Sequence, residues 1–364
     1  MVGSNLRDLP AGGALGGKPQ AFHLAAAALH RGGAARVADR LWGDQRLTVL
    51  AYHRIGHADS ARRSSYATNI SATPDLFDRQ MHYVARHFSV VDLAAVHQFI
   101  AHGVPLPPRP LLITFDDGYR DNFEYALPIL RKYNLPAVIF LITEQLGNPS
   151  PPWWDECAYY FARTPRQSVD LPLIGTCSLA SDRERDAALE RLIASLKGLR
   201  EDAQQTLMRS VQEALGVEDR PHDPRLFMTW DEVRVLVANN IACQPHTLTH
   251  PILSHLDHAE MLRQIAESRQ RVESETQQPA LAFAYPNGSP ADYNREAVEL
   301  LGSLGYSVGF TMTRGPVDLD LVRDRPFEVP RIFVGHWDNL HSFALKVSGL
   351  LALPARLSQW RQDR

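Results

Sequence analysis

Leu111-Leu112-Ile113-Thr114-Phe115-Asp116-Asp117-Gly118 is an apolar run that delivers two adjacent carboxylates to a glycine turn. Side chains that follow one another along a strand point to opposite faces. Where the strand ends and the backbone turns, both acids can reach one pocket, one as a metal ligand and the other as a base. Downstream, His246 and His250 form an H-x-x-x-H pair bracketed by Pro245 and Pro251, and Tyr285-Pro286-Asn287-Gly288 makes a second tight turn. One Asp and two His are a metal-binding set that leaves positions open for water and substrate. The bracketing prolines disfavour a regular helix through the histidines, so a loop presenting both is expected. Taken singly, an Asp-Asp-Gly is more often a solvated turn. The order of the three segments carries the weight.

In that order, TFDDGYRDN (114–122), HTLTHP (246–251) and FAYPNG (283–288) resemble the polysaccharide deacetylases of carbohydrate esterase family 4. These are metal-dependent enzymes that remove N- or O-acetyl groups from sugars. The resemblance runs from about residue 47 to about residue 333, with one long insertion. It implies that Asp117, His246 and His250 are the metal ligands and that Asp116 is the general base acting on water. It also puts the main-chain N–H of Asn287 where the family has an oxyanion donor. The implied cofactor is a divalent metal, zinc first, with cobalt, nickel or manganese as alternatives. The implied fold is α/β, a distorted (β/α) barrel of about seven strands.

The chain departs from the family pattern twice. Many relatives have an arginine shortly before the Pro-x-Gly turn to hold the catalytic aspartate, where this chain has Phe283, Ala284 and Tyr285. Arg331, from a late strand, is the candidate to replace it, with a surface or structural salt bridge as the equal alternative. Relatives also carry an acid histidine in a late hydrophobic-x-His segment. Val334-Gly335-His336 matches it loosely, and His53, just after the first strand, competes for the role of proton donor; either could be simply a packed or exposed histidine.

Periodicity agrees with an α/β fold. Strands are expected at 47–51, 88–91, 111–115, 137–142, 241–243, 281–284, 306–311 and 328–334, with helices between them. Phe77, Met81, Val84 and Ala85 mark the buried face of one helix. Another, kinked or restarted at Pro128, follows the paired acids. Thr229 and Glu232 read as a capping box, and Asp257 with Glu260 caps a further helix. All three chemical segments fall at carboxyl ends of strands, where barrel enzymes gather their sites. Residues 148–227 break the rhythm. Leu189, Leu192, Ile193, Leu196 and Leu199, then Leu207, Val211 and Leu215, recur at helical spacing and mark a helical insertion. Trp153 and Trp154 open it, either as a sugar-stacking wall or as packing anchors.

The expected organisation is a flexible tail at 1–20, a helix in 21–46, the barrel at 47–340 with its insertion, and a helical tail at 341–364. With 364 residues, 45% hydrophobic and 22% charged, the chain can bury a large core. A formal net charge of −3 supplies no basic field for nucleic acid. Three cysteines, Cys157, Cys177 and Cys243, are widely spaced and suggest neither a disulfide framework nor a thiolate metal site. No apolar run approaches the roughly 18 residues of a membrane span. Residues 21–29 read as a helix without a signal-peptide cleavage site, and a cytoplasmic location is expected.

The function expected is hydrolytic removal of N-acetyl groups from amino sugars of a bacterial-type polysaccharide, in exopolysaccharide biosynthesis. The partner is an N-acetylated glycan or sugar precursor, with no nucleic acid, and the oligomeric state is left open. Two rivals remain: a catalytically impaired carbohydrate-binding or scaffold protein of the same fold, and an amidohydrolase acting on a non-sugar amide or imide.

Overall fold

Pro110–Phe115 is buried at every position and forms the parallel strand whose end carries the paired aspartates. Strands covered on both faces show such unbroken apolar runs in place of alternation. The computed structural model describes residues 20–35, 37–38, 43–61, 65–313 and 315–352. The expected tail at 1–20 lies outside these apart from Gln20, and the expected helical tail at 341–364 lies outside them beyond 352. Its described part falls on the helix Leu340–Val347, and the helix expected in 21–46 is Gln20–Arg31. The chain divides into two compact units, the smaller made of Pro151–His222 together with Ala58–Thr68.

In chain order the strands of the larger unit are β1 (Arg46–Tyr52), β2 (Arg54–Ile55), β3 (Ile70–Ala72), β4 (Ser89–Val90), β5 (Pro110–Phe115) and β6 (Ala137–Leu141). The smaller unit holds β7 (Ser168–Leu171) and β8 (Gly175–Ser178). The larger resumes with β9 (Ile241–Pro245), β10 (Ala282–Ala284), β11 (Val308–Thr311), β12 (Val317–Asp318), β13 (Val329–Pro330) and β14 (Ile332–Phe333).

β1 pairs in parallel with β5, from Thr48 against Leu111 to Tyr52 against Phe115. β5 continues in parallel to β6, and β6 to β9. β10, β11 and β13 form a second parallel ladder, and β14 returns to β1. Counting β13 and β14 as one strand broken at Arg331, the circuit has seven strand positions. This is the distorted α/β barrel. β12 runs antiparallel against the start of β1, which makes the sheet mixed but mostly parallel.

Side chains bridge the circuit where ladders lapse. Between β9 and β10, the buried Gln244 accepts from the N–H groups of Leu281 (2.7 Å) and Ala282 (2.9 Å). Its Nε2 donates to the carbonyls of Cys243 (2.9 Å) and Pro279 (3.3 Å). A buried amide of this kind is tolerable only when its donors and acceptors are satisfied.

Local signals place the helices. Thr73 caps Pro74–His87 by accepting from Leu76 N–H, and Pro74 occupies the first turn. The buried face includes Phe77, Met81 and Val84 as expected, but Ala85 is exposed and Tyr83 takes its place. After the paired acids, a wide π-helical turn (Asn122–Ala126) leads into the α-helix Leu127–Lys132, with Pro128 in its first turn. The Thr229 and Glu232 capping box opens Trp230–Val237, and Asp257 caps His258–Thr276.

Within the smaller unit, helices Trp153–Arg163, Asp182–Lys197 and Glu201–Leu215 accompany the antiparallel β7 and β8 hairpin, which the helical periodicity did not disclose. The three cysteines are buried and free. Among the described residues no helix is long and apolar enough to cross a membrane.

Candidate active site

The ladder between β1 and β5 persists one residue past the strand end, where Asp116 N–H donates to the Tyr52 carbonyl at 2.9 Å. The chain then reverses, with Asp117 at φ 73° and Gly118 at φ 85°. Gly118 is required twice over, by its left-handed backbone and because an added Cβ would lie 2.9 Å from Leu141 Cδ2. The turn leaves both carboxylates buried at the end of the barrel strand.

Asp117 joins the two histidines. Its Oδ1 lies 3.7 Å from His246 Nε2 and 3.8 Å from His250 Nε2, and one ligand atom from each residue lies within 4.8 Å of the others. Ligands at about 2.1 Å around a tetrahedral ion are separated by about 3.4 Å, so the trio has nearly the spacing of a metal site. His246 directly follows β9, and its N–H donates to the Leu141 carbonyl at 2.9 Å. The Ala284 carbonyl, 2.6 Å from His246 Nδ1, can only accept, so Nδ1 carries the proton and Nε2 keeps its lone pair for the site. Burial lowers the His246 pKa, against the pull of Asp116 and the Ala284 carbonyl. A neutral imidazole is the form a metal takes.

Residues 246–250 form a loop whose shape is set by side chains. Thr247 and His250 adopt φ of 66° and 67°. Thr247 Oγ1 accepts from His250 N–H at 2.9 Å. Gln264, buried on the helix His258–Thr276, accepts from the N–H groups of Leu248 (3.0 Å) and Thr249 (3.2 Å) and donates to Thr249 Oγ1 (3.0 Å). Strained, left-handed non-glycine residues that persist at a site are held there by their surroundings. Of two histidines just beyond this loop, His258 is exposed and pairs with Glu296 at 2.6 Å, whereas His255 is half-buried in a single 3₁₀ turn.

Asp116 faces a different set. Arg331, the largest fully buried side chain among the described residues, donates from Nη1 to Oδ1 at 2.7 Å and from Nη2 to Oδ2 at 2.8 Å. The same guanidinium reaches Thr114 Oγ1 (3.1 Å) and the Thr311 carbonyl (3.3 Å), which fixes its plane. Burial pushes the Asp116 carboxyl up, but Arg331, with His246 and His53, outweighs it and holds the group well below the usual carboxylate range. His53 Nε2 lies 4.0 Å from Asp116 Oδ2, and its ring meets Phe333 edge-on. His336 is half-buried with its ring edge-on to Trp337 at 4.9 Å. Of the two acid candidates, His53 thus lies within 4.0 Å of Asp116. Asn287 stands at φ 56° and Gly288 at φ 70° in the turn after β10, where Gly288 N–H donates to the Pro286 carbonyl at 2.6 Å and its own carbonyl accepts from Met312 N–H at 2.8 Å.

Sequence reasoning passed over four side chains around the site. Gln264 carries no local signal, since a glutamine on a helix is ordinary. Ser71 is equally silent. Asp121 and Asn122 lie inside the 114–122 segment, where their spacing gives them no separate role. Their contacts with the His53 segment are long-range.

The polysaccharide deacetylase family model matches residues 103–309. YxkH of Bacillus subtilis (strain 168), which carries the same family description, is 20% identical over 210 residues, 58% of this chain and 47% of that protein. A poly-beta-1,6-N-acetyl-D-glucosamine N-deacetylase of Staphylococcus epidermidis is 30% identical over 109 residues, 28% of this chain and 37% of that enzyme. The chain thus spans under half the length of these curated relatives. The Streptococcus pyogenes deacetylase PplD, solved with acetate, shares the fold at a TM-score of 0.53 and 17% identity, over 84% of this chain and 97% of that one. By its family match and its fold, this chain belongs to the polysaccharide deacetylases, carbohydrate esterase family 4.

Proposed function

We propose that this protein is a metal-dependent N-deacetylase that hydrolyses the acetamido groups of amino sugars in a bacterial-type polysaccharide or its precursor. The observation that carries the reading is the junction of two sets of groups at one strand end. Asp117, His246 and His250 converge within 4.8 Å, and the neighbouring Asp116 is gripped by Arg331. The three donors would hold a divalent ion, zinc first by their nitrogen and oxygen composition. When bound, the ion supplies Lewis acidity toward the acetyl carbonyl and acidifies water.

The chain's own groups supply the proton traffic. Asp116, kept ionised and oriented by Arg331, accepts a proton from the attacking water as the new C–O bond forms. His53 donates a proton to the amine nitrogen as the C–N bond breaks, leaving acetate and a free amino sugar. The main-chain N–H of Asn287 is the candidate donor to the carbonyl oxygen as it gains charge. The strong pairing with Arg331 lowers the basicity of Asp116, so orientation is its larger contribution. A catalytically silent scaffold was a rival because the usual arginine brace is missing before Pro286; Arg331 at 2.7 and 2.8 Å from Asp116 speaks against that rival. The staphylococcal relative makes a β-1,6-linked N-acetylglucosamine polymer the first substrate to test.

The test is metal analysis of the purified protein together with acetate release from N-acetylglucosamine oligomers of β-1,4 and β-1,6 linkage. Asp116→Asn should keep the metal and lose about 10² to 10⁴ in kcat, the size expected for a positioned acid-base group. Loss of metal from that variant would reverse the roles of Asp116 and Asp117, and absence of acetate release from every acetylated glycan would overturn the deacetylase reading.

A further inference from the structure

His53 is the one-residue link between β1 and β2, and its main-chain groups are tied by side chains on both sides. Its N–H donates to Ser71 Oγ at 2.9 Å, and its carbonyl accepts from Asn122 Nδ2 at 2.8 Å. The next residues are held by Asp121, whose Oδ2 takes Arg54 Nε at 2.7 Å and whose Oδ1 takes Ile55 N–H at 3.0 Å. Asn122 Nδ2 also reaches Asp121 Oδ1 at 3.3 Å, which makes the two side chains one unit. The Arg54 guanidinium lies over the Tyr119 ring at 4.6 Å, and Tyr119 stacks on Phe227 at 4.4 Å. Ser71, Asp121 and Asn122 are all buried.

Burying an aspartate, an asparagine and a serine around one short segment costs desolvation energy, which their hydrogen bonds to that segment offset. Just after His53, β2 pairs with β3 through a register shift between Arg54 and Ile55. The side chains thus take over where the sheet is irregular. With its N–H and carbonyl both engaged, His53 has little main-chain freedom, and its ring position relative to Asp116 is set by two side-chain torsions and the Phe333 edge contact.

We infer that Asn122 and Asp121, with Ser71, are positioning residues that hold His53 at Asp116 as the proton donor. Residues 114–122 then serve the site twice: the first half carries base and metal ligand, and the second half fixes the acid across a gap of 69 residues. Because Asp116, Asp117, Asp121 and Asn122 lie between the end of β5 and the start of the π-helical turn that follows it, base and acid are referenced to the same piece of backbone. A misplacement of about 1 Å in such an arrangement can cost about 10²-fold in rate. The inference rests on the reading of His53 as the donor.

Leaving-group dependence tests it in the zinc-loaded full chain. An amine must be protonated to depart, whereas 4-nitrophenolate leaves without a proton, so a lost or displaced acid slows amide hydrolysis far more than hydrolysis of 4-nitrophenyl acetate. His53→Gln sets the reference for acid loss. Asn122→Ala and Ser71→Ala should each lower kcat on N-acetylglucosamine oligomers by about 10²-fold, with a much smaller fall on the ester, and with KM and calorimetric zinc affinity little changed. Asp121→Asn, nearly isosteric, carries the test if Asn122→Ala does not fold. If His53→Gln shows the selective amide loss and the three variants lower amide and ester turnover in parallel, or lower neither, the positioning role is overturned. If His53→Gln itself shows no selectivity, the donor assignment falls, and this inference with it.

Discussion

Arg331 stands at the single-residue break between β13 and β14, and its guanidinium closes on both oxygens of Asp116 at 2.7 and 2.8 Å. One half of that broken strand pairs with β11 and the other with β1, so the arginine sits where two ladders meet and points inward between them. Barrel closure and the grip on Asp116 are therefore one feature. Arg331→Lys keeps the charge but loses the planar fork, and kcat should fall by about 10²-fold while zinc affinity is retained. Arg331→Met should cost about 3 to 5 kcal/mol in denaturant unfolding, because it strands a buried carboxylate. A Lys variant with normal turnover and weakened metal binding would place Arg331 in support of the ligands instead.

Gln264 holds three polar groups of the loop that presents His246 and His250. Gln264→Leu keeps the volume roughly and removes all three contacts. Outer-shell partners of metal ligands typically contribute 10 to 100-fold in affinity, and a loss of about that size is expected in zinc titration calorimetry. Unchanged affinity would mean that Thr247 and the flanking prolines suffice to shape the loop.

His246 supplies a pH dependence with a definite sign. Its folded pKa lies below the ordinary value of about 6.5, because burial favours the neutral ring. The unfolded chain therefore binds the proton first, and the metal-free protein should lose stability as pH falls through about 6.5 toward the lower folded value. Asp116 acts in a separate window: with its pKa depressed, its contribution is complete above about 4 and is lost only in stronger acid. Urea unfolding of the metal-free protein from about pH 8 to about pH 5 should show a slope that flattens in His246→Gln. An equal slope in the variant would assign the effect to other groups.

The two tryptophans at the start of the smaller unit's first helix differ in burial. Trp154 is 5% exposed, whereas Trp153 is half-buried and lines a polar groove with Glu156, Gln204, Gln212 and Arg220. Trp154→Ala should cost about 3 to 5 kcal/mol, the usual range for truncating a buried aromatic. Trp153→Ala should cost well under half as much. Thermal denaturation of both variants checks the order, and equal losses would make both residues anchors.

The sequence by itself determined the family, the α/β class and the three segments that carry the chemistry, because each is a local pattern. Apolar runs ending in Asp-Asp-Gly, His-x-x-x-His between prolines and Pro-Asn-Gly state both the strand and the residue types at its end. The capping box at Thr229 and Glu232 was legible for the same reason, since capping is settled within one turn. Tertiary structure alone brought Arg331 and His53 to Asp116 and showed what Gln244, Gln264, Asp121 and Asn122 hold. Arg331 meets Asp116 across 215 residues, and no local spacing encodes such a pair. The left-handed backbone at Asp117, Thr247, His250 and Asn287 was hidden too, because Asp, Thr, His and Asn do not announce it as glycine does. Those conformations persist only because the strand ends and the buried side chains around them over-determine them, and that constraint exists only once the barrel has closed.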